Sequence, residues 1–298
     1  MKLLVIGSKG FIGQHTVNYF KDKHNYEVYG ADVIPNNDSK YYQLNDITPD
    51  FEHIFEKHKF DVCINASGNG SVPISINQPI FDFELNTTNT IKILDSIRKN
   101  APACKFINLS SAAVYGNPEV IPVKENAELK PLSPYGWHKL YAEQLCREYF
   151  YLYNIKTINL RLFSVYGEGL RKQLFWDIYQ KSKRSKVIEL FGSGVETRDF
   201  IYIKDLLKAM EVVVERGLFN GESVNVGSGK ETTIAHAASI FCEAVSEGLK
   251  LRFNKITKPG DPLNWQADIS VIQSFGFKPT TAIEDGMKNT ALWLIENT

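Results

Sequence analysis

Short apolar runs rich in β-branched residues recur along the first half of the chain, and the segments between them carry apolar residues at helical spacing. Strands that alternate with helices in this way predict βαβ crossovers and a parallel sheet that is buried on both faces. The pattern therefore predicts an α/β fold with a doubly wound parallel sheet. The predicted strands are Leu3–Ile6, Glu27–Asp32, Val62–Ala66, Lys105–Ser110 and Thr157–Phe163, and the predicted crossover helices include Thr88–Lys99 and Tyr135–Tyr153.

The pattern changes beyond about Ser164, where the chain becomes richer in charge and less regular. A strand is predicted at Ser223–Val226 and a helix from Ile234 to about Ser246, which indicates a smaller C-terminal α/β lobe. We therefore predict two domains, residues 1–163 and residues 164–298. No low-complexity linker separates them, so the boundary is soft and some C-terminal segments can return to the first domain.

The composition is that of an ordinary globular protein, with 298 residues of which 43% are hydrophobic. Lys plus Arg and Asp plus Glu both number 34, so no overall field attracts the chain to nucleic acid or to an anionic membrane. No apolar run reaches the length of a transmembrane helix, and no export leader is expected. We expect a cytoplasmic protein with reduced thiols and without a metal site, because the four cysteines lie far apart: Cys63, Cys104, Cys146 and Cys242.

The first predicted strand runs directly into three glycines at three-residue spacing, Gly7, Gly10 and Gly13. A strand that breaks into glycines and restarts as a helix presents free backbone N–H groups and a positive dipole end to a pyrophosphate. Asp32 lies 19 residues after Gly13, where a carboxylate accepts both ribose hydroxyls of a dinucleotide and repels a 2′-phosphate. Together these features predict a Rossmann-type site for NAD rather than NADP.

Tyr135 and Lys139 stand four residues apart, so they share one face of a predicted helix. A lysine cation beside a phenol favours the phenolate, and Lys139 is therefore expected to lower the pKa of Tyr135 and make it a general base. The spacing alone does not identify the base, because it recurs at Tyr19/Lys23 and at Tyr179/Lys183. The place of each pair relative to the predicted strands has to decide among them.

Only the pair at Tyr135 follows a predicted strand that runs into Ser110 and Ser111. Open parallel sheets bind their ligands at the carboxyl ends of the strands. The Ser111 hydroxyl can hold a substrate oxygen there, while Tyr135 exchanges its proton and Lys139 steadies the phenolate and a cofactor ribose. This arrangement indicates hydride-transfer chemistry.

Further motifs stand in a fixed order along the chain. After the glycine loop and Asp32 come Asp46-Ile47, Asn86, Ser110-Ser111-Ala112-Ala113-Val114-Tyr115-Gly116, Ser133-Pro134-Tyr135-x-x-x-Lys139, Arg161-Leu162-Phe163-Ser164-Val165-Tyr166-Gly167 and Thr197-Arg198-Asp199-Phe200. As an ordered set they resemble the extended short-chain dehydrogenase/reductases. More narrowly, the chain resembles the NAD-dependent epimerase/dehydratase family that acts on nucleotide sugars.

The resemblance implies that Ser111, Tyr135 and Lys139 form a catalytic triad. It implies that NAD is bound by the glycine loop, the ribose carboxylate, two residues at the adenine, a loop that lines the cofactor and supporting polar residues. These residues are Gly7, Gly10, Phe11, Ile12, Gly13, Asp32, Asp46, Ile47, Ala66, Asn86, Tyr135 and Lys139.

The resemblance also implies a nucleotide-sugar substrate bound by Ser111, Ser164, Arg198 and Lys258. Arg198 suits the pyrophosphate, because a guanidinium offers several donors in a rigid fork. The alternative interpretation of Arg198 is a surface salt bridge to Asp199 or Asp205.

Two alanines, Ala112 and Ala113, stand where sugar-nucleotide 4,6-dehydratases of this family carry the residues for water elimination. Methyl groups neither donate nor accept a proton, which argues against a dehydratase. The leading hypothesis is an NAD-dependent nucleotide-sugar epimerase that acts at C4 through a transient 4-keto intermediate in glycan precursor biosynthesis. The alternatives are a nucleotide-4-keto-sugar reductase that makes a deoxysugar nucleotide, and a noncatalytic dinucleotide-binding protein. The nucleotide stays open among UDP, GDP and dTDP.

Two segments have further interpretations. Residues 65–71 replace the His-x-Ala-Ala type of loop found in many relatives, and their glycines permit either movement over the nicotinamide or a simple flexible turn. The aromatic stretch Tyr149–Tyr153 closes the helix that carries Tyr135, at a place where relatives form an intersubunit four-helix bundle. We therefore expect a homodimer.

Overall fold

The computed structural model describes residues 1–257 and 260–298. The strands are β1 Lys2–Ile6, β2 Glu27–Asp32, β3 Tyr41–Gln43, β4 Val62–Asn65, β5 Lys105–Ser111, β6 Thr157–Leu162, β7 Ser164–Tyr166, β8 Val187–Leu190, β9 Thr197–Arg198, β10 Phe200–Tyr202, β11 Ser223–Val226, β12 Thr232–Thr233 and β13 Lys250–Phe253. The α-helices are α1 Phe11–Lys21, α2 Glu52–Lys57, α3 Val72–Asn77, α4 Pro79–Phe83, α5 Asn89–Asn100, α6 Pro134–Tyr153, α7 Gln173–Ser182, α8 Ile203–Arg216, α9 Ile234–Val245, α10 Ser270–Ser274 and α11 Ile283–Asn297. A π-helical segment spans Glu84–Thr88 and a 3₁₀ turn spans Ala112–Val114.

The central sheet has seven strands in the order β11-β6-β5-β4-β1-β2-β3. Strand β1 pairs in parallel with β2 on one side and β4 on the other, and β5 pairs in parallel with both β4 and β6. The apolar side chains of β1 and β4 are almost completely buried, as expected for strands covered on both faces. The predicted doubly wound Rossmann-type fold is confirmed, and the carboxyl ends of β1, β4 and β5 lie at one edge of the sheet.

The chain forms two compact units. The first consists of residues 1–116, 129–162 and 210–224, and the second of residues 117–128, 163–209 and 225–298. Residues 210–224 thus group with the sheet-bearing first unit, whereas residues 117–128 group with the second. Each unit is interrupted in sequence.

Helix α6 has ends that its sequence explains. The Ser133 hydroxyl accepts the N–H of Gly136 at 3.2 Å, and Pro134 occupies the first turn, where its missing N–H costs nothing. Asn154 ends the helix in the left-handed region at φ 58°. Tyr135 therefore lies in the first, N-terminal turn, and Lys139 lies one turn further along.

No helix within residues 1–257 and 260–298 has the length and apolar character needed to span a membrane. In the same residues, no group of three or more His, Cys, Asp or Glu side chains is arranged to hold a metal ion. All four cysteines are buried free thiols.

Candidate active site

Two glycines of the N-terminal loop are required by the protein's own packing. Gly7 has φ +78°, and a Cβ there would lie 2.5 Å from the backbone nitrogen of Ser67. A Cβ on Gly13 would lie 2.0 Å from the carbonyl oxygen of Gly7. Gly7 thus makes the tight turn after β1, and Gly13 lets helix α1 approach that turn closely.

Gly10 is different, because the protein leaves room for a side chain at this position. Its φ of −69° is open to any residue, and an added Cβ would meet its nearest neighbour at an ordinary contact distance of 3.4 Å. Gly10 precedes helix α1, whose first residues Phe11 and Ile12 present backbone N–H groups. The unfilled space beside a helix N-terminus fits a dinucleotide pyrophosphate, which needs that close approach to the backbone.

Asp32 ends strand β2 and is fastened to the glycine loop. Its carboxylate accepts the backbone N–H of Lys9 at 2.8 Å and that of Ile34 at 3.3 Å. These bonds orient a half-buried carboxylate beside the loop while leaving acceptor capacity for two ribose hydroxyls. The placement fits the predicted role of Asp32.

Asp46 and Ile47 lie at the surface after β3. The Asp46 carboxylate accepts the N–H groups of Ile47 and Thr48, and the Ile47 carbonyl accepts a bond of 2.7 Å from the amide of Asn89 on α5. The Ile47 side chain is 40% exposed, so it offers an apolar surface to a flat ring such as adenine.

The loop after β4 is held by several hydrogen bonds. The Ala66 N–H donates to the Ile6 carbonyl at 2.9 Å, and the Asn86 amide donates to the Asn69 carbonyl at 3.3 Å. Gly68 packs so closely against Asn86 that a Cβ would lie 2.4 Å from its side-chain oxygen. These contacts fasten the loop beside the glycine turn and bring Ala66 and Asn86 to the same end of the sheet.

The candidate catalytic residues meet at the carboxyl end of β5. Ser111 is the last residue of that strand, and its hydroxyl accepts the Ala113 N–H at 3.2 Å and hydrogen-bonds with the Tyr135 hydroxyl. The Lys139 ammonium donates to the Leu109 carbonyl at 2.9 Å and lies 6.0 Å from the centre of the Tyr135 ring. The arrangement can hold an oxygen between two hydroxyl groups and move one proton.

The expectation that Tyr135 has a low pKa is wrong. Burial raises the pKa of Tyr135, the hydrogen bond from Ser111 lowers it, and the negative charge of Asp82 raises it again. The Lys139 ammonium is bound to a backbone carbonyl and lies 6.0 Å from the ring centre, so burial outweighs the effect inferred from spacing.

The two other Tyr-x-x-x-Lys pairs lie in different surroundings. The Tyr19 hydroxyl donates to Glu211 at 2.5 Å, and Lys23 forms an ion pair with the same carboxylate at 2.9 Å. The Tyr179 hydroxyl accepts a hydrogen bond from Thr298 at 2.9 Å. Neither phenol lies at the end of a parallel strand beside a serine hydroxyl.

A buried ion pair below the site was not recognised from the sequence. Arg161 on β6 and Glu143 on α6 are each 4% exposed and lie 2.7 Å apart. Glu143 also accepts the Ser110 hydroxyl at 2.5 Å, and Arg161 donates to the Tyr115 hydroxyl at 2.8 Å. The pair connects α6 to both β5 and β6. In the sequence, the pair is indicated only by the position of Glu143, four residues after Lys139 on the same helix face.

Ser164 and Arg198 belong to the second unit. Ser164 begins β7, and its N–H donates to the Asp199 carbonyl at 2.9 Å. The Arg198 guanidinium donates to the carbonyls of Thr197 and Leu263 at 2.7 and 3.3 Å and lies 5.5 Å from the Trp265 ring centre. Lys258, the fourth predicted substrate residue, lies outside the described residues.

The carboxylates considered as partners of Arg198 have other roles. Asp199 accepts the N–H groups of Ser228, Gly229 and Ala267 at 2.6 to 3.1 Å. Asp205 accepts the N–H groups of Thr280 and Thr281. Burial lowers the pKa of Arg198, and the negative charges of Asp261 and Glu196 raise it by a smaller amount.

Comparison with known proteins gives consistent results. Residues 3–227 match the sequence model of the NAD dependent epimerase/dehydratase family. The chain is 28% identical to a UDP-glucuronate 4-epimerase of Thermodesulfobacterium geofontis, with 99% of this chain and 96% of that protein aligned. Among solved structures it is similar to the UDP-glucuronic acid 4-epimerase of Bacillus cereus in complex with UDP-glucuronic acid and NAD, at 26% identity, a TM-score of 0.90 and coverage of 100% of both chains. It is also similar to a Thermotoga maritima UDP-glucose 4-epimerase with UDP-glucose, at 26% identity, a TM-score of 0.90 and coverage of 99% of both chains.

Proposed function

Since the chain belongs to the NAD-dependent epimerase/dehydratase family, we propose that it is an NAD-dependent UDP-sugar 4-epimerase. The observation that carries this proposal is the hydrogen-bonded pair of Ser111 and Tyr135 at the carboxyl end of β5, with Lys139 bound one turn along α6. The similar proteins named above act on UDP-sugars, which favours UDP over GDP and dTDP. The product is an activated sugar, consistent with a role in supplying glycan precursors.

The residues that would hold NAD are those placed around the end of β1. The backbone at Gly10, Phe11 and Ile12 receives the pyrophosphate, Asp32 receives the adenosine ribose, and Ile47 packs on the adenine. Bound NAD supplies a hydride acceptor that returns the hydride within the same turnover. The chain itself therefore has to perform only binding, orientation and proton transfer.

Proton transfer is assigned to Tyr135. The phenolate of Tyr135 takes the proton of the sugar 4-hydroxyl as the C4 hydride leaves, and the C4–O bond becomes a carbonyl. Ser111 donates a hydrogen bond to that oxygen and Lys139 holds a cofactor ribose, although in the chain itself Lys139 does not offset the burial that raises the pKa of Tyr135. After the 4-keto sugar has turned over, Tyr135 returns the proton to the same oxygen, and the hydroxyl is restored with inverted configuration. The resemblance to the family assigns Arg198 to the substrate pyrophosphate and Ser164 to the nucleotide sugar.

Elimination of water is disfavoured at this site. Ala112 is fully buried, and Ala113 lies in the 3₁₀ turn that Ser111 caps. Neither side chain can act as an acid or base at C5 or C6, so oxidation at C4 leads to return of the hydride rather than dehydration.

Incubation with candidate sugars tests the proposal. UDP-glucose or UDP-glucuronate is expected to reach an equilibrium with its C4 epimer at constant absorbance of the NADH band. Stoichiometric loss of NAD(P)H with a 4-keto sugar would indicate the reductase instead. Failure to convert any UDP-, GDP- or dTDP-hexose while NAD still binds would indicate a noncatalytic dinucleotide-binding protein.

Cofactor choice is expected to depend on Asp32. Replacing Asp32 by Ser removes the ribose acceptor and the charge that repels a 2′-phosphate, so the ratio of NAD to NADP affinity should fall about tenfold or more, a change of ~1.4 kcal/mol. Titration of each dinucleotide measures the ratio. Asp38→Ser is the matched control, because Asp38 pairs with Lys21 at 2.7 Å, and an equal change in both variants would contradict the role of Asp32.

We also propose a cytoplasmic homodimer that uses an exposed apolar face on α4 and α6. Phe83, Trp137 and Tyr141 are 39%, 43% and 43% exposed, and the rings of Phe83 and Tyr141 lie 6.3 Å apart. In the aromatic stretch, Tyr149 is buried, whereas Tyr151 is 71% exposed. The buried free cysteines are compatible with a reducing compartment.

Light scattering at micromolar concentration is expected to give twice the chain mass of 33.8 kDa. Tyr141→Glu places a charge on the apolar face and should yield monomers. Val120→Glu, at a residue that is 73% exposed elsewhere, should leave the dimer intact. A monomeric mass for the unmodified chain would refute this proposal.

A further inference from the structure

A completely buried carboxylate, Asp82, lies between the loop after β4 and helix α6, which carries Tyr135 and Lys139. One oxygen accepts the side-chain amides of Asn69 at 2.6 Å and Asn86 at 3.1 Å. The other lies 2.5 Å from Nδ1 of His138, which is 8% exposed. A carboxylate removed from water is costly unless it is hydrogen-bonded and its charge is balanced, so this set of bonds is a built arrangement.

The partners of Asp82 come from three segments that reach the site. Asn69 belongs to the loop after β4, Asn86 to the π-helical segment, and His138 to α6 directly before Lys139. Two further bonds connect the same segments, since Asn86 donates to the Asn69 carbonyl at 3.3 Å and Thr87 donates to the His138 carbonyl at 3.0 Å. Displacement of one segment would therefore break bonds to the other two.

We propose that Asp82 and His138 form a positioning pair, in which the contacts of Asp82 join the loop after β4 to helix α6 and the carboxylate sets the charge beside Tyr135. Neither residue is assigned contact with the reacting atoms. The inference rests on the proposed proton transfer at Tyr135, for which the two residues define the surroundings of the base.

The charge argument follows from the partners of the carboxylate. Asn69 and Asn86 are neutral donors, and Nδ1 of His138 lies 2.5 Å from the second oxygen, so three side chains hold the carboxylate in place. A negative charge held beside Tyr135 disfavours the phenolate. The negative charge of Asp82 indeed raises the pKa of Tyr135, although burial has the larger effect.

The other charged groups around α6 have their own partners. Glu143 pairs with Arg161, and Lys139 donates to the Leu109 carbonyl. On α5, Asp95 pairs with Arg98 and Lys99, and Lys92 donates to the Thr48 carbonyl. Helix α3 and the 3₁₀ turn contain no titratable residue. The remaining titratable groups near the pair are Tyr141 beside His138, Glu84 in the π-helical segment and Lys105 at the start of β5. Beyond Glu143 on α6 they are Cys146, Arg147 and Glu148.

Two variants distinguish the effect of the carboxylate charge from simple loss of structure. Asp82→Asn keeps an acceptor for Asn69 and Asn86 but removes the negative charge, so the pKa of Tyr135 should fall by about one unit, a typical effect of a nearby charge. His138→Gln keeps a donor to Asp82 and leaves the charge of the carboxylate in place, so the pKa of Tyr135 should change much less. The double variant should show the same fall as Asp82→Asn.

The pKa is measured by ¹³Cζ-tyrosine NMR on the full chain, with and without NAD, and Tyr135→Phe assigns the resonance. Glu84→Gln, a carboxylate-to-amide change two residues away, is the control and should leave the pKa unchanged. The pH profile of kcat/KM should move to lower pH in Asp82→Asn and should stay close to that of the unmodified chain in His138→Gln.

An equal fall in both variants, or no fall in Asp82→Asn, would overturn the inference. If Asp82→Asn fails to fold, His138→Gln decides, and a fall of about one unit in that variant would overturn the inference. If the NMR shifts occur as expected but no nucleotide sugar is converted, the positioning pair stands and the proposed epimerase function fails.

Discussion

Replacement of Tyr135 by Phe is expected to lower kcat for UDP-sugar epimerisation by about 10³-fold, within the range of general acid–base catalysis. The variant keeps the ring and its packing and removes only the hydroxyl that is bound to Ser111. NAD binding should therefore remain nearly unchanged. Steady-state kinetics and a dinucleotide titration on the same preparation measure the two quantities separately.

The chain offers two matched controls for this substitution. Tyr19 and Tyr179 have the same four-residue spacing to a lysine, but their hydroxyls contact Glu211 and Thr298. Tyr19→Phe and Tyr179→Phe should keep kcat close to that of the unmodified chain. A near-normal rate in Tyr135→Phe would show that another group moves the proton.

The glycine loop gives the second large effect, because Gly10 and Gly13 are expected to fail in different ways. Gly10→Ala adds a methyl group at 3.4 Å from its nearest protein atom, so the fold is retained while the space needed by the pyrophosphate is filled. NAD affinity should fall at least about 100-fold, equivalent to ~2.7 kcal/mol. The midpoint temperature of thermal unfolding without added NAD should be unchanged or slightly raised, because alanine has less conformational freedom than glycine in the unfolded chain.

Gly13→Ala is the contrasting variant. Its methyl group would lie 2.0 Å from the Gly7 carbonyl oxygen, so helix α1 has to move and the free energy of unfolding should fall. Normal NAD affinity in Gly10→Ala would contradict the assignment of the pyrophosphate to this loop. Equal destabilisation by both substitutions would contradict the distinction between the glycines.

The long strands of the central sheet were predictable because burial on both faces requires continuous apolar runs. The run at Thr157–Phe163 corresponds to β6 at Thr157–Leu162, and the helix predicted at Tyr135–Tyr153 begins one residue earlier, at Pro134. Strands of only two or three residues, such as β9 at Thr197–Arg198, have too few positions to show an alternation of apolar and polar residues. Their existence depends on partners distant in sequence.

The candidate site likewise has residues that the sequence identified and residues that only the fold brings together. Spacing identified Tyr135 and Lys139, but it gave the wrong direction for the pKa of Tyr135, because spacing does not report burial. Asp82 and His138 are 56 residues apart and belong to no motif, so only the fold brings them together. Sequence reasoning thus found the groups assigned to the reaction and missed those that set their surroundings.

The most direct test of the account uses UDP-glucose or UDP-glucuronate deuterated at C4. A 4-epimerase that moves the C4 hydride to NAD and back should convert the sugar into its C4 epimer with the deuterium retained at C4 and no net change in NAD. Loss of the label to solvent during epimerisation, or accumulation of a stable 4-keto product with one equivalent of NADH, would contradict it.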